Sequence, residues 1–370
     1  MKNLKALYDL LIISLVLFIP GLHAAAQTFT DNKVISKIFV VTAETTVEVN
    51  NKYGNVQIIT WPKDSVKFIV EMKVGSSSLS RLQKIKNSVN FDFTATNYYV
   101  TGRTDFGTTG NQIFTELKNL SDVILTGSNQ VQINYSVYCP ENINLNIINK
   151  FGDIYIDDVK QYLRISLSNG DLRINSVKGN AQIEMGFGSG IINFAENLQL
   201  TIAYSDLKIK EAGKLNLDSK SSTLNIDKAS FIKFTSRRDK YFISNTKNFY
   251  GNADFTQIWL DGMECETDCS LKFGNLNISE ISKNFCRINL NTEYTDIDLS
   301  FMRESKYDAD IFYHKDATVS FPLNIDNYGL KIDDDNDLKK HAWYKTGQGE
   351  TLPKMRISAI QKCFISIREK

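Results

Sequence analysis

A short motif of the form Gly-Asp-Leu-x-Ile recurs, in degraded copies, about every 17 or 18 residues through the middle of the chain. A fixed period of this size is typical of a stacked repeat architecture, in which each unit buries its apolar face against the next. The period therefore constrains the fold far more than it constrains an activity. The first apolar residues of the copies are Ile154, Leu172, Ile191, Leu207, Leu224, Tyr241, Ile258, Leu276 and Ile297.

A second run of alternating apolar residues precedes each copy, as in Leu163-x-Ile165-x-Leu167. Strict alternation indicates a half-buried strand, because successive side chains of a strand point to opposite faces. The few residues between the two runs leave no room for a helix, so each repeat predicts two short strands and two corners. We therefore predict an all-β fold, a single-chain parallel β-helix or β-solenoid with about 17–18 residues per coil.

The period is lost toward both ends of the chain. We expect residues 27–146 to form an elaborated, β-rich N-terminal cap region with one short helix near residues 77–87. Residues 147–300 should hold the regular coils, and residues 301–370 a C-terminal cap with a last coil. One coil buries too little apolar surface to offset the entropy lost in ordering it, so a stack needs neighbours and protected ends.

Residues 1–26 have the pattern of a secretory signal peptide, with Lys2 and Lys5, an apolar stretch over residues 10–19 and three alanines before Gln27. An apolar stretch this short cannot span a bilayer, which takes about 20 residues. We predict export to the periplasm, the cell surface or the exterior, with no transmembrane segment in the mature chain. An uncleaved membrane anchor is the alternative.

Charge is balanced, with 43 Lys and Arg against 42 Asp and Glu. The chain therefore lacks the basic field of a nucleic-acid-binding protein, and no nucleic-acid partner is expected.

Five cysteines are an odd number for an exported chain. Cys269 and Cys286 lie 17 residues apart, about one coil, so they could occupy stacked positions and form a disulfide. The alternative is that all five are small buried apolar residues.

Several segments together resemble a known family. Tyr53-Gly54-Asn55-Val56 is followed by Trp61-Pro62-Lys63-Asp64, and Val137-Tyr138-Cys139-Pro140 leads into Phe151-Gly152-Asp153-Ile154. This layout resembles the bacterial adhesin family of the auto-transporter adhesin head GIN-domain type, exported β-solenoids of unknown function. The resemblance covers nearly the whole mature chain, and it implies an adhesin-type envelope protein without naming a ligand.

The recurring aspartates are the first candidates for catalysis. Asp153 and Asp171 lie one coil apart, near the carboxylate spacing of a retaining glycosidase. A polysaccharide lyase or glycoside hydrolase on a parallel β-helix is therefore the alternative function. Asp or Asn recurs at this position in other copies, however, and such side chains suit tight corners because they bond the nearby backbone. We predict that these aspartates are structural and that the chain has no catalytic residues.

No metal or cofactor is expected. The run Asp333–Asp337 resembles a calcium loop, but Leu338 and Tyr344 replace its glycine and its glutamate, which favours a solvated loop. The glycines of Gly186-x-Gly188-x-Gly190 precede no helix that could bind phosphate, and close backbone approach at a corner explains them better.

One pair of side chains is a candidate binding site. Phe242 and Trp259 fall at the outward-facing position of successive coils. Two aromatic rings on a solvent face would suit sugar rings or the apolar surface of a partner. Alternatively, the tail or the N-terminal cap folds over them. We predict a non-enzymatic adhesin or cell-envelope scaffold whose partner is a glycan or a cell-surface protein.

Overall fold

The structure is a computed structural model that describes residues 28–107, 130–323, 325–332, 339–349 and 351–370. The predicted signal peptide and the acidic run Asp333–Asp337 lie outside the described residues. The described chain is almost entirely β-strand and forms a large multi-stranded sheet that does not close on itself. The predicted all-β class is confirmed. Helix α1 (Leu79–Ser88) lies where the sequence predicted one.

The strands alternate buried and exposed residues along most of their length, as the apolar pattern predicts. They are β1 (Phe29–Val40), β2 (Thr46–Lys52), β3 (Val56–Thr60), β4 (Ser65–Ser76), β5 (Val89–Ala95), β6 (Tyr99–Phe106), β7 (Gln130–Cys139), β8 (Asn144–Lys150), β9 (Ile154–Val159), β10 (Leu163–Ser168), β11 (Leu172–Lys220), β12 (Thr223–Arg237), β13 (Lys240–Asp254), β14 (Gln257–Lys272), β15 (Asn275–Ile281), β16 (Arg287–Glu293), β17 (Asp296–Phe301), β18 (Tyr307–His314), β19 (Thr318–Ser320), β20 (Asp326–Ile332), β21 (Lys339–Thr346), β22 (Lys354–Ala359) and β23 (Phe364–Glu369).

The chain divides into two compact units. The smaller unit includes helix α1, whose Leu82 and Ile85 are buried, and an ion pair between Lys86 and Asp31. Ser78 precedes the helix without a side-chain capping hydrogen bond. The larger unit spans residues 33–72, 90–105 and 132–370 and contains the features described below.

Parallel pairing in the larger unit follows two series of strands. We call the series that contains β8, β10 and β16 the first ladder, and the series that contains β9, β15 and β17 the second ladder. In the second ladder the predicted apolar residues lie directly opposite one another, in the order Leu207, Leu224, Tyr241, Ile258, Leu276 and Ile297. In the first ladder the order is Leu215, Ile232, Phe249, Thr267 and Ile288. All of these side chains are buried. The predicted Ile191 does not belong to this series, because its side chain is 41% exposed and Gly190 lies against Leu172 and Leu207 instead. The sequence period therefore equals the number of residues between two positions that lie opposite each other on neighbouring parallel strands.

Pairing departs from chain order at both ends of the ladders. Strand β2 pairs between β6 and β8, and β3 pairs between β7 and β9. At the other end, β22 pairs between β16 and β18, and β23 pairs between β17 and β19. Strands β22 and β23 therefore take the second-to-last position in the two parallel ladders. Strands β18 and β19, which precede them in the chain, take the last position.

The predicted disulfide between Cys269 and Cys286 is wrong. Cys286 is bonded to Cys265, with their Cα atoms 4.7 Å apart. The prediction assumed a step of 17 residues, but here the register advances by 21, so the residue opposite Cys269 is Leu290. The alternative, that all five cysteines are small buried apolar residues, holds for Cys139, Cys269 and Cys363, which are free and buried, and is wrong for the two in the disulfide.

Thiol reactivity should follow from this arrangement. Because burial raises the pKa of the Cys139 thiol to about 12 and also raises that of Cys269, little reactive thiolate forms. We expect the native protein to react very slowly with a thiol reagent at pH 8. The unfolded protein should expose three thiols, and reduction should release the two of the disulfide.

Mass spectrometry of unreduced peptides distinguishes a Cys265–Cys286 bond from a Cys269–Cys286 bond. Cleavage after Glu266 places Cys265 and Cys269 on different peptides. A peptide that joins Cys269 to Cys286 would contradict the observed one.

Candidate binding surface

A corner joins each strand of the first ladder to the next strand of the second, and one residue at each corner has a left-handed backbone. This conformation costs roughly 1–2 kcal/mol for residues other than glycine, and bulky residues adopt it rarely. Seven of the ten residues that adopt it here are nevertheless aromatic. We call the ten the corner residues: Tyr53, Phe151, Asn169, Phe187, Tyr204, Ser221, Arg238, Phe255, Phe273 and Tyr294.

The backbone of the neighbouring corner lies very close to the residue that follows each corner residue. A Cβ atom at Gly152 or Gly170 would lie 2.1 Å from a carbonyl oxygen of the preceding corner, and one at Gly188 would lie 2.0 Å from it. These glycines therefore serve close backbone approach, and the positive φ belongs to the residue before them.

Hydroxyl side chains occupy this position where glycine is absent. Ser205, Ser222, Thr256 and Thr295 each donate a hydrogen bond to the carbonyl two residues earlier, at 2.8–3.1 Å. The hydroxyl thereby satisfies a corner carbonyl locally, as Ser and Thr do in tight turns.

Asp239 fills the same position with a buried carboxylate. It accepts hydrogen bonds from the backbone N–H groups of Ser222 at 2.7 Å and Arg237 at 3.0 Å, and from the hydroxyls of Ser219 and Ser236, both at 2.6 Å. Four donors of this kind satisfy a buried carboxylate without a cation.

The recurring aspartates bond the backbone of the neighbouring corner. Asp153 accepts a hydrogen bond from the N–H of Asp171 at 2.9 Å. Asp171 in turn accepts hydrogen bonds from the N–H of Ser189 at 3.0 Å and from its hydroxyl at 2.8 Å. These contacts fit the structural role that the sequence analysis favoured over a catalytic pair.

All seven aromatic corner residues stack on a neighbour. Ring centroids lie 5.5 Å apart for Tyr53 and Phe151, and 5.1 Å apart for Phe187 and Tyr204. Phe255, Phe273 and Tyr294 form a continuous stack with spacings of 4.9 and 5.2 Å. The ring planes of each pair lie within 11° of parallel.

These rings, except the buried Tyr53, are 39–59% exposed. Of the seven corner rings, Phe273 has a ring against both faces, and each of the others stacks on one neighbour. The repeat pattern by itself did not identify these residues, although an aromatic residue directly before the glycine position, at seven of the ten corners, was a signal that could have done so.

Phe242 and Trp259 lie directly opposite each other on neighbouring strands of the second ladder. Their rings stack at 4.7 Å with planes 3° apart. Phe242 is 41% exposed and Trp259 is half-buried. The flanking strands place Asn225 opposite Phe242 and Asn277 opposite Trp259. The uncovered face of each ring is therefore next to an amide side chain.

Charged residues converge on a cavity of about 420 Å³ near the C-terminal end of the first ladder. Asp310 binds His341 on one side, at 2.5 Å, and Arg356 on the other, at 3.2 Å. His341 also stacks on Phe312, with centroids 4.0 Å apart. These contacts tie together β18, β21 and β22. The charged or aromatic residues that line the cavity are Arg287, Asp308, Asp310, Trp343, Lys354 and Arg356.

Among the described residues, no three His, Cys, Asp or Glu side chains lie close enough together to hold a metal ion. None of the helices in the described ranges has the length and apolar character needed to cross a bilayer.

Comparison with protein-family models found no match, and comparison with curated proteins found none either. Among solved structures, the chain is similar to a "putative cell adhesion protein" from Clostridium sporogenes at 11% identity and a TM-score of 0.16, over 91% of this chain and all of that one. It is similar to a "putative adhesin" from Parabacteroides distasonis at 9% identity and a TM-score of 0.28, over 92% of this chain and 98% of that one. A "putative adhesin" from Bacteroides fragilis has 10% identity and a TM-score of 0.25, over 91% of this chain and 97% of that one. Scores this low assign the chain neither a fold nor a function.

Two glycines in one strand should respond differently to substitution. In Gly188→Ala the new methyl group would lie 2.0 Å from a backbone oxygen, so the corners must move apart. We expect the free energy of unfolding to fall by about 2 kcal/mol or more. In the control Gly186→Ala the new methyl group would have its nearest neighbour 3.8 Å away, so stability should change by less than about 0.5 kcal/mol. Urea denaturation followed by circular dichroism measures both, and equal losses would contradict the close approach.

The left-handed conformation of Phe273 can be tested by two substitutions that remove the same ring. Asn tolerates this backbone and occupies the same position at residue 169, whereas a β-branched residue does not tolerate it. Phe273→Asn and Phe273→Ile both lose the two stacking contacts, so the difference between them isolates the backbone strain. We expect the Ile variant to be less stable than the Asn variant by about 1–2 kcal/mol. Equal stability in urea would mean that the corner is not held left-handed.

Proposed function

We propose that the chain is an exported, non-enzymatic β-solenoid that acts as an adhesin-type binding or scaffold protein of the cell envelope. The parallel register supports the winding, because strands equivalent by the sequence period pair with one another and a left-handed residue joins one ladder to the next. The adhesin role follows from the family resemblance of the sequence. A rigid stack of this kind offers long faces to a partner.

The contact surface that we propose is the column Asn225, Phe242, Trp259 and Asn277. It combines two parallel rings with an amide at either end, and these four residues come from four neighbouring strands. This arrangement is the observation that carries the proposal.

A glycan is the partner that this column fits best. Sugar rings present apolar C–H faces, which pack against aromatic rings, and hydroxyl groups, which need donors and acceptors at their edges. An amide supplies both a donor and an acceptor. The uncovered face of Phe242 lies toward Asn225 and that of Trp259 toward Asn277, so each ring and amide could contact one sugar.

An alternative is a polysaccharide lyase or glycoside hydrolase that uses the charged cavity around Asp310. The convergence of Asp308, Asp310 and Arg356 there favours it. We prefer binding because both carboxylate oxygens of Asp310 already contact His341 and Arg356. Release of reducing ends from a polysaccharide, abolished by Asp310→Asn, would favour the enzyme instead.

A glycan array probed with the purified mature chain tests the proposed column. The variant Phe242→Asn/Trp259→Asn replaces both rings with the residue that flanks them in the same column, so the fold should tolerate it. We expect the variant to lose about tenfold or more in affinity for any glycan that the unaltered chain binds, since each ring contact contributes about 0.5–1.5 kcal/mol or more.

The control is Phe231→Asn, which removes a ring of the first ladder at a position where the neighbouring strand has Asn248. Its glycan binding should equal that of the unaltered chain. No glycan signal, or a signal that survives in the double variant, would contradict the proposed contact.

A further inference from the structure

The corner stack is interrupted where four cationic side chains come together. Between Tyr204 and Phe255 the corner residues are Ser221 and Arg238 instead of aromatic residues. Around them, Lys220 lies opposite Arg237 on the neighbouring strand, and Lys240 follows two residues after Arg238. All four cationic side chains are exposed. We call Lys220, Arg237, Arg238 and Lys240 the basic corner.

These cations lack acidic partners among the residues that the structure describes, since none of the ion pairs found there includes them. Other exposed cations do have an acidic partner. Lys272 has the same register position as Arg237, two strands further along the ladder, and forms an ion pair with Glu293 at 2.9 Å.

Nearby acids do not neutralise the basic corner. Asp254 lies opposite Arg237 on the next strand. Asp206 lies two strands from Lys240, with Thr223 between them. Asp239 is buried, and its carboxylate is taken up by interior hydroxyls and backbone N–H groups. Asp218, also exposed, precedes Lys220 by two residues on the same strand. Four exposed cations against three exposed acids leave a net positive charge on a short stretch of surface, which attracts anions.

The aromatic residues on either side have ring faces that no other ring covers. Tyr204 stacks on Phe187, and Phe255 stacks on Phe273, so each ring has its partner on the side away from the interruption. Their other faces point toward Ser221 and Arg238. Neighbouring parallel strands are about 4.8 Å apart, so three steps separate these two rings by about 14 Å.

We propose that the basic corner binds a carboxylated sugar chain, such as a uronate polysaccharide. A sugar ring packs against the open face of Tyr204 or Phe255, and its carboxylate accepts hydrogen bonds from Arg238 and Arg237. Arg suits this role because its planar guanidinium matches the two oxygens of a carboxylate.

The charge pattern favours an acidic sugar over a nucleic acid. The basic corner is confined to two neighbouring corners of a chain whose overall charge is balanced, whereas a nucleic acid needs a longer basic track. This inference uses different residues from the Phe242 and Trp259 column, so either can fail without the other.

The test measures binding of the full mature chain to oligogalacturonate, with dextran and duplex DNA as comparisons. The variant Arg238→Ser/Lys240→Thr replaces each cation with the residue at the equivalent position one step earlier, Ser221 and Thr223. The control Lys228→Ser/Lys233→Ser removes the same charge from elsewhere on β12, at two exposed positions.

We expect oligogalacturonate to bind more tightly than dextran or DNA, and its affinity to fall as salt is added. The Arg238→Ser/Lys240→Thr variant should lose at least about tenfold in affinity, because it removes charged hydrogen-bond donors, while the control stays within about twofold. Equal binding of oligogalacturonate and dextran, tighter binding of DNA, or equal losses in variant and control would each overturn the proposal.

A second variant tests the rings. Tyr204→Ser/Phe255→Ser places at both positions the residue that Ser221 shows to be compatible with the corner. It should weaken oligogalacturonate binding several-fold without changing the salt dependence, because it removes packing and no charge. Unchanged affinity would overturn the assignment of a sugar ring to these faces.

Discussion

Close approach of neighbouring backbones at the corners is the constraint on which the rest of the structure depends. Strands that pair in parallel with their counterparts of the next period bring one corner directly against another. A carbonyl oxygen then occupies the space that a side chain would need at Gly152, Gly170 or Gly188. At every corner, whether glycine, Ser, Thr or Asp follows, the corner residue takes the left-handed conformation, and every aromatic corner residue except Tyr53 has an exposed side chain. The exposed aromatic stack is thus a consequence of the same geometry that sets the register.

The sequence predicted the register well and the corner chemistry only in part. Apolar residues aligned by the period lie opposite one another, because burial on one face specifies strand register. The glycines were interpreted correctly as points of close approach. Which residue carries the positive φ could not be read from the motif, since Phe and Tyr disfavour that conformation intrinsically and only the neighbouring corner imposes it. The Cys269 pairing failed for a similar reason: spacing in the chain does not show where a step lengthens to 21 residues.

The outer surface serves different purposes in different places. Where corner rings stack on one another, they use their faces for mutual contact and contribute mainly to the corner itself. Phe242 and Trp259 stack as well, but Asn225 and Asn277 border their uncovered faces and supply polar groups there. The sequence identified this pair because the alternation pattern shows which residues face outward. It did not identify the basic corner, in which Lys220 joins Arg237, Arg238 and Lys240 only because it shares a register position with Arg237.

The order of pairing near residues 354–369 makes earlier strands depend on later ones. Strands β22 and β23 follow β18 and β19 in the chain, yet β22 pairs between β16 and β18 and β23 between β17 and β19. A chain truncated before residue 354 would leave all four of these strands with open edges. Such edges recruit other chains and promote aggregation. Residues 354–369 therefore close the gap between strands that precede them in the chain, and the edges of those strands stay covered only while this segment is paired.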